Sequence, residues 1–316
     1  MSEAATGSTV VLAGGVGAAR LLAGLVQVVD PTTLTAVVNT ADDLVMHGLE
    51  ISPDLDTVTY TLAGAIDPER GWGLDGETWQ AMESLRRYGG DAWFNLGDRD
   101  LGTHLFRTAR RRAGASLSQV TAEIAAAWGL TLRLLPVTDD AIRTRVTVDD
   151  DGEIGFQEYF VHRQHAVAVR AVRFEGAAEA APAPGVLEAI ATAATVVIAP
   201  SNPIVSIGPV LAVPGVRDAV AARREDVVAV SPIVAGAALK GPADRLLTEL
   251  GHESSVVGVA RIYAELAATL VIDTADSALA GAVEAEGLRC VVTDTIMSSP
   301  ERSAALARSV LAGSGP

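Results

Sequence analysis

Three stretches of this 316-residue sequence carry residue types in spacings that chemistry can use. The first is Gly14-Gly15-Val16-Gly17, between an apolar run, Thr9–Ala13, and a helix-like run, Ala18–Val28. Glycines let backbone approach an anion closely, and a helix N-terminus offers free N–H groups with about half a positive charge. The second is the acidic stretch after the next apolar run, with Asp42, Asp43, Asp54 and Asp56 inside fifteen residues. Carboxylates so close repel one another unless a cation or a hydrogen-bonded substrate holds them together. Asp42 or Asp54 could simply cap a helix, but capping is a poor account of all four. The third is Ser201-Asn202-Pro203, directly after the run Thr195–Ala199, with Ser206 and Gly208 opening the helix that follows. It can supply a second set of donors to the same anion.

The glycine loop alone fits several ligands, and also a tight strand-to-helix turn with none. A dinucleotide fingerprint needs a third glycine where Arg20 stands, and an acidic residue where the second strand ends in Asn39. A P-loop needs a Gly-Lys-Ser/Thr ending that is absent here. Leu12–Leu22 comes close to the L-A-G-G-x-G-T-R-L string of sugar nucleotidyltransferases, with its arginine one position out of register. That reading stays open, as does a nucleotide-sugar-binding regulator without catalysis.

The elements that must position these residues alternate between strand-like and helix-like patterns, the signature of a parallel sheet covered by helices. Strands are expected at Thr9–Ala13, Leu34–Asn39, Thr195–Ala199, Val227–Ser231, Leu270–Asp273 and Cys290–Thr293, with helices between them. The middle differs. Asp75–Tyr88, Asp98–Arg112 and Leu117–Trp128 have helical spacing with no strand between them, followed by alternating segments at Arg143–Val148, Ile154–Val161 and Ala166–Phe174. The expected fold is α/β: a doubly wound, mostly parallel Rossmann-like sheet with an inserted helical plus antiparallel β region. Residues 1–60 and 181–316 would form the nucleotide-binding core, and 61–180 a region covering the substrate.

Composition narrows the ligands. Hydrophobic residues make up 49% and aromatics only 4%, so the core must be built from Val, Leu, Ile and Ala, as in buried parallel strands. The net charge of −15 excludes nucleic acid as a natural partner, because that binding rests on neutralising phosphates with Lys and Arg. A small anion must instead be held by backbone N–H groups, a few arginines or a metal ion. Cys290 is the one cysteine and reads as a structural thiol. No apolar run is long enough to span a membrane, so the chain is expected to be soluble and cytoplasmic. A homodimer is the assembly expected on frequency alone. Trp72, Trp79 and Trp93 could wall a flat ring, although a tryptophan in a helical region is more often core. His47 and His104 read as structural, and Arg107–Arg112 as a solvated helix end.

The motifs in order are Gly14–Gly17, Val38–Asp43, Ile51–Thr57, Trp72-Gly73, Leu96–Asp100, Leu135–Asp140, Pro200–Pro209 and Val230–Ile233. Over nearly the whole chain this resembles the phospholactate/phosphoenolpyruvate transferases of coenzyme F-420 biosynthesis, the CofD/FbiA family. The resemblance implies a Mg²⁺-dependent enzyme acting on two small molecules. One is enolpyruvyl- or lactyl-diphospho-guanosine, and the other is the deazaflavin alcohol Fo, whose ribityl hydroxyl displaces GMP. It implies diphosphate binding by Gly14, Gly15, Val16, Gly17, Ser201, Asn202, Pro203, Ser206 and Gly208, and metal binding by Asp42, Asp43 and Asp56. It also assigns deazaflavin contacts to Asp56, Thr57 and Asn95, and catalytic roles to Asp56 and Asp43. Asn95 departs from the family, which often carries Lys or Arg there, as do Ala18 and Arg20.

Overall fold

A computed structural model describes residues 7–149 and 151–314; residues 1–6, 150 and 315–316 of the expected core and insertion lie outside the described residues. The centre is a seven-stranded sheet of β1 (Thr9–Ala13), β2 (Leu34–Val38), β3 (Arg133–Pro136), β4 (Thr195–Ile198), β5 (Val227–Val230), β6 (Thr269–Asp273) and β7 (Arg289–Thr293). The strand order is β7-β6-β5-β4-β1-β2-β3, and every neighbouring pair is parallel. The sheet winds outward in both directions from β1, so the expected doubly wound α/β fold is what forms.

The strands read as unbroken apolar runs because both sheet faces are covered. Val10 and Leu12 of β1 join the core on one face, with Val196, Ile198 and Ile272. Val11 and Ala13 join the core on the other, with Val38, Val197 and Val271. On that second face the first helix, α1 (Val16–Leu25), packs against α2 (Pro53–Leu62) and the C-terminal helix Pro300–Ala312.

The sequence pattern missed β3. It has four residues, Arg-Leu-Leu-Pro, and follows a helix so closely that its leucines continue the helical spacing. It pairs with β2 along Thr35–Val38. The stretch 61–180 therefore gives one edge strand to the central sheet.

Between β2 and β3 come a small hairpin, Leu44–Met46 with Leu49–Ile51, and helices α2, α3 (Gln80–Arg87), α4 (Asp100–Arg112) and α5 (Leu117–Ala127). The hairpin turns on His47 and Gly48, both at positive φ (53° and 75°), as a two-residue turn requires. Between β3 and β4, Arg143–Val148 pairs antiparallel with Gly152–Gly155 on one side and Val169–Glu175 on the other. Each of the three expected β segments contributes a strand, but the second ends early, its last residues entering the helical turn Glu158–His162.

The register fixes the mouth of the site. Ala13 lies beside Val38, and Leu12 beside Ile198. The loops after β1, β2 and β4 therefore leave the sheet together at its carboxyl edge, where the winding reverses and α/β sheets bind ligands.

Candidate active site

The first wall is the glycine loop. Gly15 stands at the N-cap position of α1 with no side chain to satisfy the helix, so the first-turn N–H groups have no intrahelical acceptor. A Cβ on Gly17 would sit 2.2 Å from the carbonyl oxygen of Pro200, so the first and fourth loops touch backbone to backbone. A Cβ on Gly14 would sit 2.6 Å from Ser206 Cβ. The Gly14 N–H is already committed, donating to Ser201 Oγ at 3.2 Å. Asn202 Oδ1 accepts from the N–H groups of Ile204 (2.9 Å) and Val205 (3.3 Å) and so caps the turn Pro203–Ile207. Gly14–Gly17, Ser201–Pro203 and Ser206 thus form one continuous cradle. A Cβ on Gly208 would meet the Phe174 ring at 3.0 Å and the Pro203 carbonyl oxygen at 3.3 Å.

The second wall is acidic. Asn39, at the end of β2, donates from Nδ2 to Asp42 Oδ2 and to Asp54 Oδ2, each at 3.0 Å. Asp54 lies in the first turn of α2, and a Cβ on Gly15 would be 2.6 Å from its Oδ1. Asp43 accepts a hydrogen bond from Ser52 Oγ at 2.7 Å. Oδ1 of Asp42 and Oδ1 of Asp43 are buried without a hydrogen-bond partner among the described residues. A buried polar atom left unpaired is costly. Burial, and then the nearby Asp54, hold the Asp42 carboxyl well above the usual range. Burial raises Asp43 to about 7, against the pull of Ser52, Arg107 and Arg143. Burial likewise raises Asp54 to about 6, with the Asn39 hydrogen bond opposing. Three buried carboxyls thus stand on this wall, two of them with an oxygen left unpaired.

The third group lies behind this wall. Asp56 is 6% exposed and Arg107, reaching from α4, is 2% exposed. Arg107 binds both carboxylate oxygens of Asp56, Nη1 to Oδ2 at 3.1 Å and Nη2 to Oδ1. His104 Nδ1 is 3.7 Å from Asp56 Oδ2, and its Nε2 is 3.1 Å from Asp100 Oδ2. The Tyr60 hydroxyl lies 2.6 Å from Asp100 Oδ1 and 2.7 Å from Thr103 Oγ1. One ligand atom each from Asp56, Asp100 and His104 lies within 4.8 Å of the others, near enough to hold an ion, though Arg107 already occupies Asp56.

Residues 9–310 match the family described as 2-phospho-L-lactate transferase CofD. The chain belongs to the CofD family. A protein of Streptomyces griseus named phosphoenolpyruvate transferase is 48% identical to it, covering 96% of each chain. One of the same name from Mycolicibacterium smegmatis is 43% identical, covering 95% of this chain and 97% of its own. A crystal structure of a UPF0052-family protein from Bacillus halodurans shares the fold, with a TM-score of 0.61 and 16% identity over 96% of this chain and 98% of that one. The chain is therefore a transferase.

Set on this CofD-family chain, the sequence motifs divide into site and scaffold. Asp139 ties down the first turn of α5, its Oδ1 accepting from Ser118 N (2.6 Å) and Oγ (2.7 Å), and Asp140 accepts from Ala181 N at 2.8 Å. Asp98 receives the N–H groups of Gln80 (2.9 Å) and Ala81 (3.0 Å) at the start of α3. Asn95 is half-buried and accepts from Arg86 Nη2 at 3.1 Å; no hydrogen bond joins it to the acidic loop among the described residues. Thr57 is buried on α2 beside Asp56.

Three expectations are corrected. Arg107 is not part of a solvated helix end, because it reaches inward to Asp56. His104 is more than structural filling, since it joins two carboxylates of the same network. Trp72 and Trp79 are not core, pairing at 6.0 Å with the Arg70 guanidinium over both, whereas Trp93 packs against the cluster of Met46, Ile51, Met82 and Leu96 and stacks on His162 at 5.3 Å. Asp100, His104 and Arg107 stand at i, i+4 and i+7, on one helix face, and that spacing was the available signal.

Proposed function

We propose that this chain transfers a phosphoenolpyruvyl or 2-phospholactyl group from its guanosine-diphosphate ester to the ribityl hydroxyl of Fo, with GMP leaving, in coenzyme F-420 biosynthesis. The observation that carries the reading is the pair of buried, partnerless oxygens on Asp42 and Asp43 beside the glycine cradle. A chain of net charge −15 can accept a diphosphate only where fixed N–H donors and a cation meet. Asp42, Asp43 and Asp54 offer oxygen ligands of the kind Mg²⁺ prefers.

Substitution at a diphosphate depends chiefly on alignment and on neutralising charge. The N–H groups at the start of α1 and the Ser201–Pro203 loop would grip the diphosphate oxygens. Ser206 faces the same loop. Bound Mg²⁺ would supply the remaining positive charge at the diphosphate. Asp56, with Thr57 beside it, would orient the attacking hydroxyl, while a bond forms to the β-phosphorus and the bond to the GMP phosphate breaks. The names of the relatives favour the enolpyruvyl donor. The absence, among the described residues, of a helix long and apolar enough to cross a membrane is consistent with work in the cytoplasm.

Incubation with Fo, Mg²⁺ and each donor should give GMP and a phosphodiester of the deazaflavin. Failure with both donors removes the assignment, and pyrophosphate release from a nucleoside triphosphate would support a nucleotidyltransferase instead.

A further inference from the structure

Asp56 sits next to a metal-ready loop yet is held by a guanidinium, and that pairing separates its role from those of its neighbours. We propose that Arg107 is a positioning residue that clamps Asp56 as a hydrogen-bond acceptor for the incoming hydroxyl and keeps it out of the metal site. The inference rests on the transferase reading above for the identity of that hydroxyl.

The geometry supports it in three ways. Arg107 contacts both oxygens of Asp56, and a two-pronged guanidinium fixes a carboxylate in orientation as well as charge. Each carboxylate oxygen still has a free lone pair, enough to receive a hydroxyl but poorly arranged for a cation beside a fixed positive charge. Burial works against the Arg107 charge, but Asp56 and then Asp43 hold it in place.

Arg107 is itself braced. Its Nη1 lies 3.3 Å from His104 Nδ1, and His104 in turn faces Asp100, which the Tyr60 hydroxyl contacts. Asp42, Asp43 and Asp54 have no such partner: among the described residues none of them takes part in an ion pair. Of the four carboxylates, only Asp56 is in direct contact with a guanidinium.

The test compares wild type with Asp56→Asn, Arg107→Lys, Arg107→Met and the double variant Asp56→Asn/Arg107→Met. Mn²⁺ binding is followed by electron paramagnetic resonance, and kcat and KM for both substrates are measured beside it. Mn²⁺ affinity should be unchanged throughout, while kcat falls by about tenfold or more in Asp56→Asn and Arg107→Met. Arg107→Lys should recover part of that loss. The double variant should be no slower than the worse single variant, as expected of residues acting as one unit.

Mn²⁺ binding weakened by about tenfold in Asp56→Asn, the scale of a lost metal-site contact, would overturn the proposal. So would wild-type kcat in Arg107→Met. Should Arg107→Met fail to fold, the lysine and asparagine variants still carry the comparison. A wild-type protein that turns over neither donor would overturn the transferase reading alone, and the Mn²⁺ comparison would still decide whether Asp56 is a metal ligand.

Discussion

Removing the charge of Asp54 should push stability and turnover in opposite directions. Asp54 shares Asn39 with Asp42, and the two carboxylates repel across that hydrogen-bonded bridge. Asp54→Asn keeps an oxygen for Asn39 and removes one like charge. In metal-free protein at pH 8, relief of about 1 kcal/mol should raise the melting temperature by about 2 °C. At pH 5 the gain should vanish, because a carboxyl raised to about 6 is already protonated there. Turnover with Mg²⁺ should fall sharply, and calorimetry beside a GMP-release assay checks both halves. An equally stable, fully active variant would remove Asp54 from the site. Arg107 makes the contrasting case. Replacing it by methionine strands a buried carboxylate, and such a loss costs about 3–5 kcal/mol. The sequence made the acidic loop legible because four carboxylates in fifteen residues need an explanation. It could not separate Asp56 from the others, since the partner that does so lies 51 residues away on α4.

At the scale of elements, the glycine loop and the fourth loop are one part, because a Cβ at Gly17 would strike the Pro200 carbonyl oxygen. The obstacle is backbone and cannot rotate away. Gly17→Ala should therefore cost about 1–3 kcal/mol in stability and raise KM for the guanosine donor more than KM for the deazaflavin. Asp139→Ala should behave differently. It removes the acceptor of the Ser118 N–H and hydroxyl in the first turn of α5, worth about 1 kcal/mol, and should lower the melting temperature while leaving kcat unchanged; a large loss of kcat would show that the Thr138-Asp139-Asp140 turn does more than hold the insertion. Six of the seven sheet strands were legible from apolar runs, unbroken in the central strands that are covered on both faces and shorter in the edge strand Arg289–Thr293. The edge strand Arg133–Pro136 was not, being only four residues long and close behind α5. The glycine motif gave the cradle its location, but only tertiary pairing showed that Gly14 donates to Ser201 and that Gly208 belongs to the packing against Phe174.

For the whole molecule, the consequence of an acidic site in an acidic chain is a linkage between pH, metal and stability. A carboxyl whose folded pKa exceeds its unfolded value holds protons more tightly when folded. Its contribution is fully present at low pH and is lost as pH rises through the folded value. For Asp43 the window runs from 3.8 to about 7, and for Asp54 from 3.8 to about 6. Metal-free protein should therefore lose stability from these groups between about pH 4 and 7. Mg²⁺ competes with those protons, so it should raise the melting temperature strongly at pH 8 and little at pH 5. Equal stabilisation at both values would argue that the cation binds elsewhere. The central claim, that the cation sits among Asp42, Asp43 and Asp54 and faces the glycine cradle, is tested most directly by a crystal structure with GDP and Mn²⁺. The anomalous peak should lie about 2.2 Å from oxygens of those carboxylates, touching the diphosphate, with Arg107 still on Asp56. A peak bound instead by Asp56, Asp100 and His104 would contradict the account.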